Sequence, residues 1–234
     1  MMIVDRRHPF PISLLSLLVM VSLTLLSSCT APSTALAPVG CDQSEMTCLQ
    51  GKAVVLMETS KGTIRFEVDG DSAPMTAGNF IDLVKRGAYD GTLFHRVVKD
   101  PVPFVVQGGD PASSDPKTPA SQYGTGSFVD PETGKARFIP LEIKLRSEQK
   151  PRYGRVTTNP SELLKLELSH EPGALAMARS QDPDSASAQF YIALKALPEL
   201  DGRYAVFGRV IQGMDVVNSI EQNDRIIKAS LLKP

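Results

Sequence analysis

The chain has no tryptophan, three histidines and three cysteines in 234 residues. So few histidines leave little material for a metal centre, and no His-Glu-x-x-His pair is present. A Gly-x-Ser-x-Gly nucleophile turn and a glycine-rich phosphate loop are also missing. Metal-assisted hydrolysis, acyl transfer through a serine elbow and phosphoryl transfer therefore have no visible carrier, and neither metal nor cofactor is expected. Charge of one sign is lacking too: 25 Lys and Arg stand against 26 Asp and Glu. That balance offers no basic face for nucleic acid, so no such partner is expected. The 42% hydrophobic content is ordinary for a domain that buries a core.

Long apolar runs are absent except near the N-terminus, where Arg6 and Arg7 precede an apolar stretch from Ile12 to Leu26 that ends in Leu26-Ser27-Ser28-Cys29. A basic start, a short apolar run and small residues describe a secretory signal. The run is about fifteen residues long, and spanning a bilayer takes ~20, which disfavours an uncleaved membrane helix. The segment resembles the signals of bacterial lipoproteins, in which the thiol receives a diacylglyceryl group and the cut falls just before it. This implies a signal over residues 1–28, lipidation of Cys29, and a chain anchored in the cell envelope facing the periplasm or exterior. Residues 29–52, rich in Thr, Ser, Ala and Pro, read as a flexible tether. Within it, Cys41 and Cys48 either form a small disulfide loop or remain free thiols.

From residue 53 onward the pattern is that of a folded domain, 53–234, expected to be monomeric. Ala53–Glu58 and Thr63–Val68 alternate apolar and polar around the Ser60-Lys61-Gly62 turn, which predicts a β-hairpin with Ile64, Phe66 and Val68 inward. Ala77, Phe80, Ile81 and Val84 follow helical spacing over Pro74–Arg86, with Pro74 in the first turn and Gly87 as terminator. Strands are predicted at Leu93–Val98, Phe104–Gln107, Phe138–Ile143, Ala174–Ala178, Gln189–Leu194, Ala205–Val210 and Ile226–Leu231, with a short helix at Met214–Ile220. Many short strands without βαβ alternation predict a mainly β fold. Residues 112–172 form a long, proline-rich insertion whose Ser161–Leu168 portion is a candidate helix.

Two strand-like runs each carry one long polar side chain, Arg96 and Gln107. Strand alternation puts Phe94 and Arg96 on one face and His95 and Val97 on the other, which favours a core histidine bonded to backbone over a catalytic one. An arginine buried within such an apolar run needs several acceptors and is seldom idle, whereas one on the solvated strand face needs none, and composition alone favours the latter.

The runs Phe94-His95-Arg96 and Gln107-Gly108-Gly109-Asp110-Pro111, with Gly173-Ala174-Leu175-Ala176-Met177-Ala178, Ala188-Gln189-Phe190-Tyr191-Ile192 and Leu200–Val210, resemble the successive blocks of the cyclophilins, peptidyl-prolyl cis-trans isomerases. The resemblance implies a closed antiparallel eight-stranded β-barrel capped by two helices. It implies Arg96 as catalytic arginine and Gln107 as the glutamine that holds it. Phe104, Val105, Tyr191 and Leu200 match the walls of a proline pocket, and Ala178 and Gln189 the positions that contact substrate backbone. Tyr204 replaces the histidine often found at the rim. The substrates implied are proline-containing segments of exported proteins. Several positions depart from the family: Tyr191 replaces Phe, Arg179 replaces Asn, Glu199 replaces the Trp of cyclosporin-sensitive members, and the Lys99–Pro103 link is longer than usual. That link and the insertion keep a second reading open, a catalytically weak module for proline-peptide binding or envelope assembly.

Overall fold

The computed structural model describes residues 40, 41, 46 and 48–232; the expected signal and Cys29 lie outside them. Strands β1 (Lys52–Thr59) and β2 (Gly62–Asp69) form the predicted hairpin. Their alternation is complete: Val55, Met57, Ile64, Phe66 and Val68 are all fully buried. Helix α1 (Pro74–Lys85) follows and buries Ala77, Phe80, Ile81 and Val84 against this face.

The remaining elements are β3 (Arg96–Val98), β4 (Val105–Gly108), β5 (Glu142–Ile143), β6 (Arg152–Tyr153), α2 (Pro160–Leu163), β7 (Ala174–Met177), β8 (Phe190–Ala193), β9 (Val206–Gln212), α3 (Met214–Ser219) and β10 (Ile226–Leu232). Eight strands make one antiparallel sheet in the order β10-β1-β2-β9-β7-β8-β4-β3. The sheet curls. The segment before β3 exchanges four backbone hydrogen bonds with the start of β10 and the residues just ahead of it: Phe94 to Asp224, Asn223 to Phe94, Ile226 to Thr92 and Gly91 to Ile226. Its inner face is filled by an aromatic cluster in which the Phe190 ring meets Phe66, Phe80, Tyr89 and Phe94 at 5.5–6.4 Å. A smaller core of Val105, Ala174, Ala176, Tyr191, Ala193, Leu197 and Val206 lies on the opposite face.

Three expectations need correction. The run Phe138–Ile143 does not join the main sheet: Ile139 makes a single bridge to Ala186, and only Glu142–Ile143 pairs, with β6, in a separate two-stranded sheet. Pro140 lacks the N–H that a continued ladder requires. The candidate helix Ser161–Leu168 is a single turn, α2, after which Leu166 pairs with Leu145 and Leu164 is 82% exposed. The segment expected as a tether is docked in its described part. Cys41 and Cys48 are disulfide-bonded with Cα atoms 6.1 Å apart. Cys41, Met46, Cys48 and Leu49 pack on the core, and Leu49 N–H donates to Pro74 O. Apolar Met46 and Leu49 gain more from burial than a solvated tether would.

Helix α1 begins without a cap of its own, since Ala73 offers no acceptor and the first turn holds no acid. The cap comes from the insertion: Glu142 accepts from Met75 N at 3.2 Å and Thr76 N at 2.8 Å. Burial pushes this carboxyl above its ordinary value even against the pull of those N–H groups. A group with a raised folded pKa binds its proton more tightly in the fold. Its contribution to stability is therefore greatest at low pH and falls as pH rises from the unfolded carboxylate value through the raised one. Glu142→Gln is expected to flatten the pH dependence of the unfolding free energy above about pH 4, measured by urea denaturation across the acid range; an unchanged profile would show that Glu142 does not titrate as described.

Candidate active site

Strands β3, β4 and β8 lie side by side, and their register sets Arg96 opposite Gln107 and Gln107 opposite Tyr191. The pleat sorts the side chains: Val106 and Phe190 enter the inner core, while Val105 and Tyr191 belong to the outer one. The Gly108-Gly109 pair that follows Gln107 is sterically required. Gly109 has φ +79°, and a Cβ there would stand 2.9 Å from the Phe190 and Tyr89 rings.

On the outer face a chain of hydrogen bonds orders the polar groups. Arg96 Nη1 donates to Gln107 Oε1 at 3.3 Å, Gln107 Nε2 to Gln189 Oε1 at 3.2 Å, and Gln189 Nε2 to the Gly126 carbonyl at 2.9 Å. Because a carbonyl only accepts, Gly126 dictates the orientation of both amides and turns the Gln107 oxygen toward the arginine. Gly126 and Gly124 are held in turn by their N–H groups on the buried Asp110 carboxylate.

Beside this chain lies an open groove of about 250 Å³ lined by Arg96, Phe104, Val105, Gln107, Ala178, Arg179, Tyr191, Leu200 and Tyr204. It gathers every residue expected at the catalytic and substrate-contacting positions except Gln189. That residue lines an adjoining cavity of about 400 Å³, which shares Gln107, Ala178 and Arg179 with the first. The long link does not displace Phe104. Phe104 N–H donates to Val98 O and Leu194 N–H to Phe104 O, so residues 100–103 are pushed out as an exposed loop. Lys99 Nζ pins the base of that loop to the carbonyls of Asn218 and Ile220 at 2.5 Å. The Phe104 ring thus stands 5.7 Å from the Arg96 guanidinium carbon. The Ala178 N–H is committed to Gln189 O within the fold, so any peptide held there must use other groups.

Residues 54–231 match the model of the family described as cyclophilin type peptidyl-prolyl cis-trans isomerase/CLD. The chain belongs to the cyclophilin family. It is 38% identical over 79% of its length to a Synechocystis protein named as a thylakoid lumen peptidyl-prolyl cis-trans isomerase, and 40% identical over 69% to a chloroplastic peptidyl-prolyl cis-trans isomerase of Arabidopsis thaliana. It spans 48% and 36% of those relatives. The human peptidyl-prolyl cis-trans isomerase-like 1 is 34% identical and 78% covered, over 71% of this chain. Among solved structures, a Cryptosporidium parvum cyclophilin in the presence of the dipeptide Ala-Pro aligns with TM-score 0.56 and 26% identity, over 77% of this chain and 99% of that one.

Two local arrangements in this cyclophilin escaped the sequence. Phe94 and Arg96 do not share a face: Phe94 is fully buried in the core and Arg96 is exposed, because the chain joins the ladder only at Arg96. His95 is buried as expected, and the Leu93 backbone and the Gln189 side chain act on its ring, although neither nitrogen makes a hydrogen bond of regular geometry among the described residues. Its ring packs beneath Gly124, and desolvation lowers its pKa.

The second is the anchoring of Tyr191, whose hydroxyl lies 2.8 Å from His170 Nε2. His170 Nδ1 is 2.7 Å from Asp201 Oδ1, which also accepts the His170 backbone N–H. Since the carboxylate accepts, Nδ1 carries a proton; in the neutral imidazole Nε2 is then the acceptor and the tyrosine donates. Burial pushes the Tyr191 phenol well above its ordinary value, so it stays a donor. His170 belongs to no recognisable motif, and Asp201 lies in the Leu200–Val210 block without a role assigned to it; the only signal was the tyrosine where the family usually has phenylalanine. Tyr191→Phe would leave the buried His170 nitrogen unpaired, a loss of about 1–3 kcal/mol. The expected result in thermal unfolding is a midpoint lowered by several degrees (~2–4 °C per kcal/mol for a chain of this size), and an unchanged midpoint would refute the coupling.

Proposed function

We propose that this chain is a peptidyl-prolyl cis-trans isomerase that acts on Xaa-Pro bonds of exported proteins. The observation that carries the reading is the hydrogen-bonded run Arg96–Gln107–Gln189–Gly126 beside an apolar groove walled by Phe104, Val105, Tyr191 and Leu200. Rotation about a prolyl bond faces a barrier of about 18–20 kcal/mol because amide resonance is lost, and uncatalysed it takes tens to hundreds of seconds. No bond is made or broken, so neither nucleophile nor cofactor is called for. In the twisted transition state the proline nitrogen becomes pyramidal and gains a lone pair. A donor aimed at that nitrogen stabilises the twisted form above either planar one. Arg96 is suited to this: a single N–H is engaged by Gln107 among the described residues, and that bond fixes the guanidinium. The apolar walls would hold the pyrrolidine ring while the preceding residue turns, and Gln107, Gln189 and Tyr204 would steady the chain around it.

The alternative, a module that binds proline without turning it over, leaned on the long Lys99–Pro103 link and on the insertion. The exposed course of that loop, with Phe104 back against Arg96, supports the enzyme instead. The signal features of residues 1–28, with the lumenal and chloroplastic designations of two relatives, support a location across a membrane, held by lipid on Cys29.

Arg96→Ala in the full chain is expected to lower kcat/KM on a proline peptide by about 10²–10³, the effect of deleting one preorganised donor. Its unfolding midpoint should stay near that of the parent, since Arg96 is exposed. Full activity in this variant would refute the assignment. Expressed in a bacterium, the parent should incorporate labelled palmitate and enter the detergent phase on cloud-point separation. Cys29→Ala should do neither, and identical partitioning of the two chains would rule out the anchor.

A further inference from the structure

Arg179 stands where the two cavities meet and lines both. Its guanidinium stacks 4.7 Å above the Tyr204 ring. Nε and Nη2 donate to the Arg203 carbonyl at 3.0 and 2.6 Å, and Nη1 to the carbonyls of Ser180 and Gln181 at 2.8 and 3.1 Å. A guanidinium has five N–H groups. Four are committed, so the plane is locked, and one on Nη2 is left.

Those partners satisfy hydrogen bonds without neutralising charge. Among the described residues no carboxylate forms an ion pair with Arg179 or with Arg96 on the same groove, and no Asp or Glu lines either cavity. The two carboxylates set behind the walls are engaged elsewhere: Asp110 by the N–H groups of Ala112, Gly124 and Gly126, and Asp201 by His170. Asp182, Asp184 and Glu199 nearby in the chain are exposed to solvent. A peptide lying across both cavities therefore meets two fixed positive charges and no negative one, on surfaces partly screened from water.

From this we infer that the groove selects proline segments carrying an acidic side chain within a few residues of the proline, with Arg179 as the specificity-determining residue. For its occupant, a proline peptide, this rests on the reading given under Proposed function. A carboxylate in that position takes up the one free N–H and the uncompensated charge together, whereas a lysine there faces like charge.

The test uses the full chain and a set of proline peptides identical except for Glu, Ala or Lys at each of the positions flanking the proline. Isomerisation is followed by NMR exchange, so that no coupled protease imposes its own preference. At low salt the best-placed Glu peptide should exceed its Lys counterpart in kcat/KM by about five- to tenfold, the range of a charge-assisted contact at a partly exposed site. The ratio should shrink as ionic strength shortens the screening length. Arg179→Asn should cut it most of the way to one, leaving only the share that Arg96 contributes, while Arg179→Lys, which keeps the charge and loses the fork, should retain more of it. Equal rates on Glu and Lys peptides at every position, or a preference indifferent to both salt and Arg179→Asn, would overturn the inference. If Arg179→Asn does not fold, the salt series and Arg179→Lys decide. If no peptide is isomerised, it is the isomerase reading that fails, and the affinities of the same peptides, from chemical-shift titration, then test the charge preference alone.

Discussion

The pleat of β8 is the constraint on which the rest depends. Phe190 turns inward and is met by four aromatic rings, a packing that fixes both the strand's position and its rotation. Once Phe190 is inside, Tyr191 must be outside, because successive side chains of a strand cannot share a face. The outer groove is therefore a by-product of the inner core. A slip of one residue would bury Tyr191 among the rings and remove its hydroxyl from His170.

The run of side chains from Arg96 through Gln107 and Gln189 is anchored at its far end by a main-chain carbonyl of a loop. Asp110 gathers the N–H groups of Gly124 and Gly126, and the Gly126 carbonyl then orients Gln189 and, through it, Gln107. Gly126 must be glycine for this, since a Cβ there would collide with Asp110. The start of the insertion is thus part of the site's scaffold; farther on, Glu142 completes α1, and His170 returns to the site by backing Tyr191.

Periodic features were legible in the sequence, because each side of a strand or helix faces a different medium. The hairpin β1–β2, helix α1 and strands β4, β8 and β9 followed from spacing alone, and the family resemblance drew Arg96, Gln107, Phe104 and Tyr191 to one groove. Pairings between distant residues were not legible. A hydrogen bond such as Tyr191 to His170 or Thr76 to Glu142 leaves no repeat in the chain, and the polar residue looks like any surface residue until its partner is known. Local apolar density misled where no periodic face existed, as in Phe138–Ile143 with its proline and in the leucines of 163–168. His95 was placed inside correctly, but from an alternation that does not extend to it, since the ladder starts one residue later.

The pairing of β1 with β10, Val54 opposite Leu232, has a consequence for how the molecule comes into being. The first strand of the domain hydrogen-bonds to the last, and the first helix waits for a cap 66 residues further on. Loop closure on that scale precedes any gain from the contacts it brings together. Such a chain has no N-terminal half that is finished before the C-terminal half arrives. The inner edge of β1 is closed by β2 within one hairpin, but its outer edge is paired only once β10 is available, so the order in which the sheet's contacts can form is set by the strand farthest along the chain.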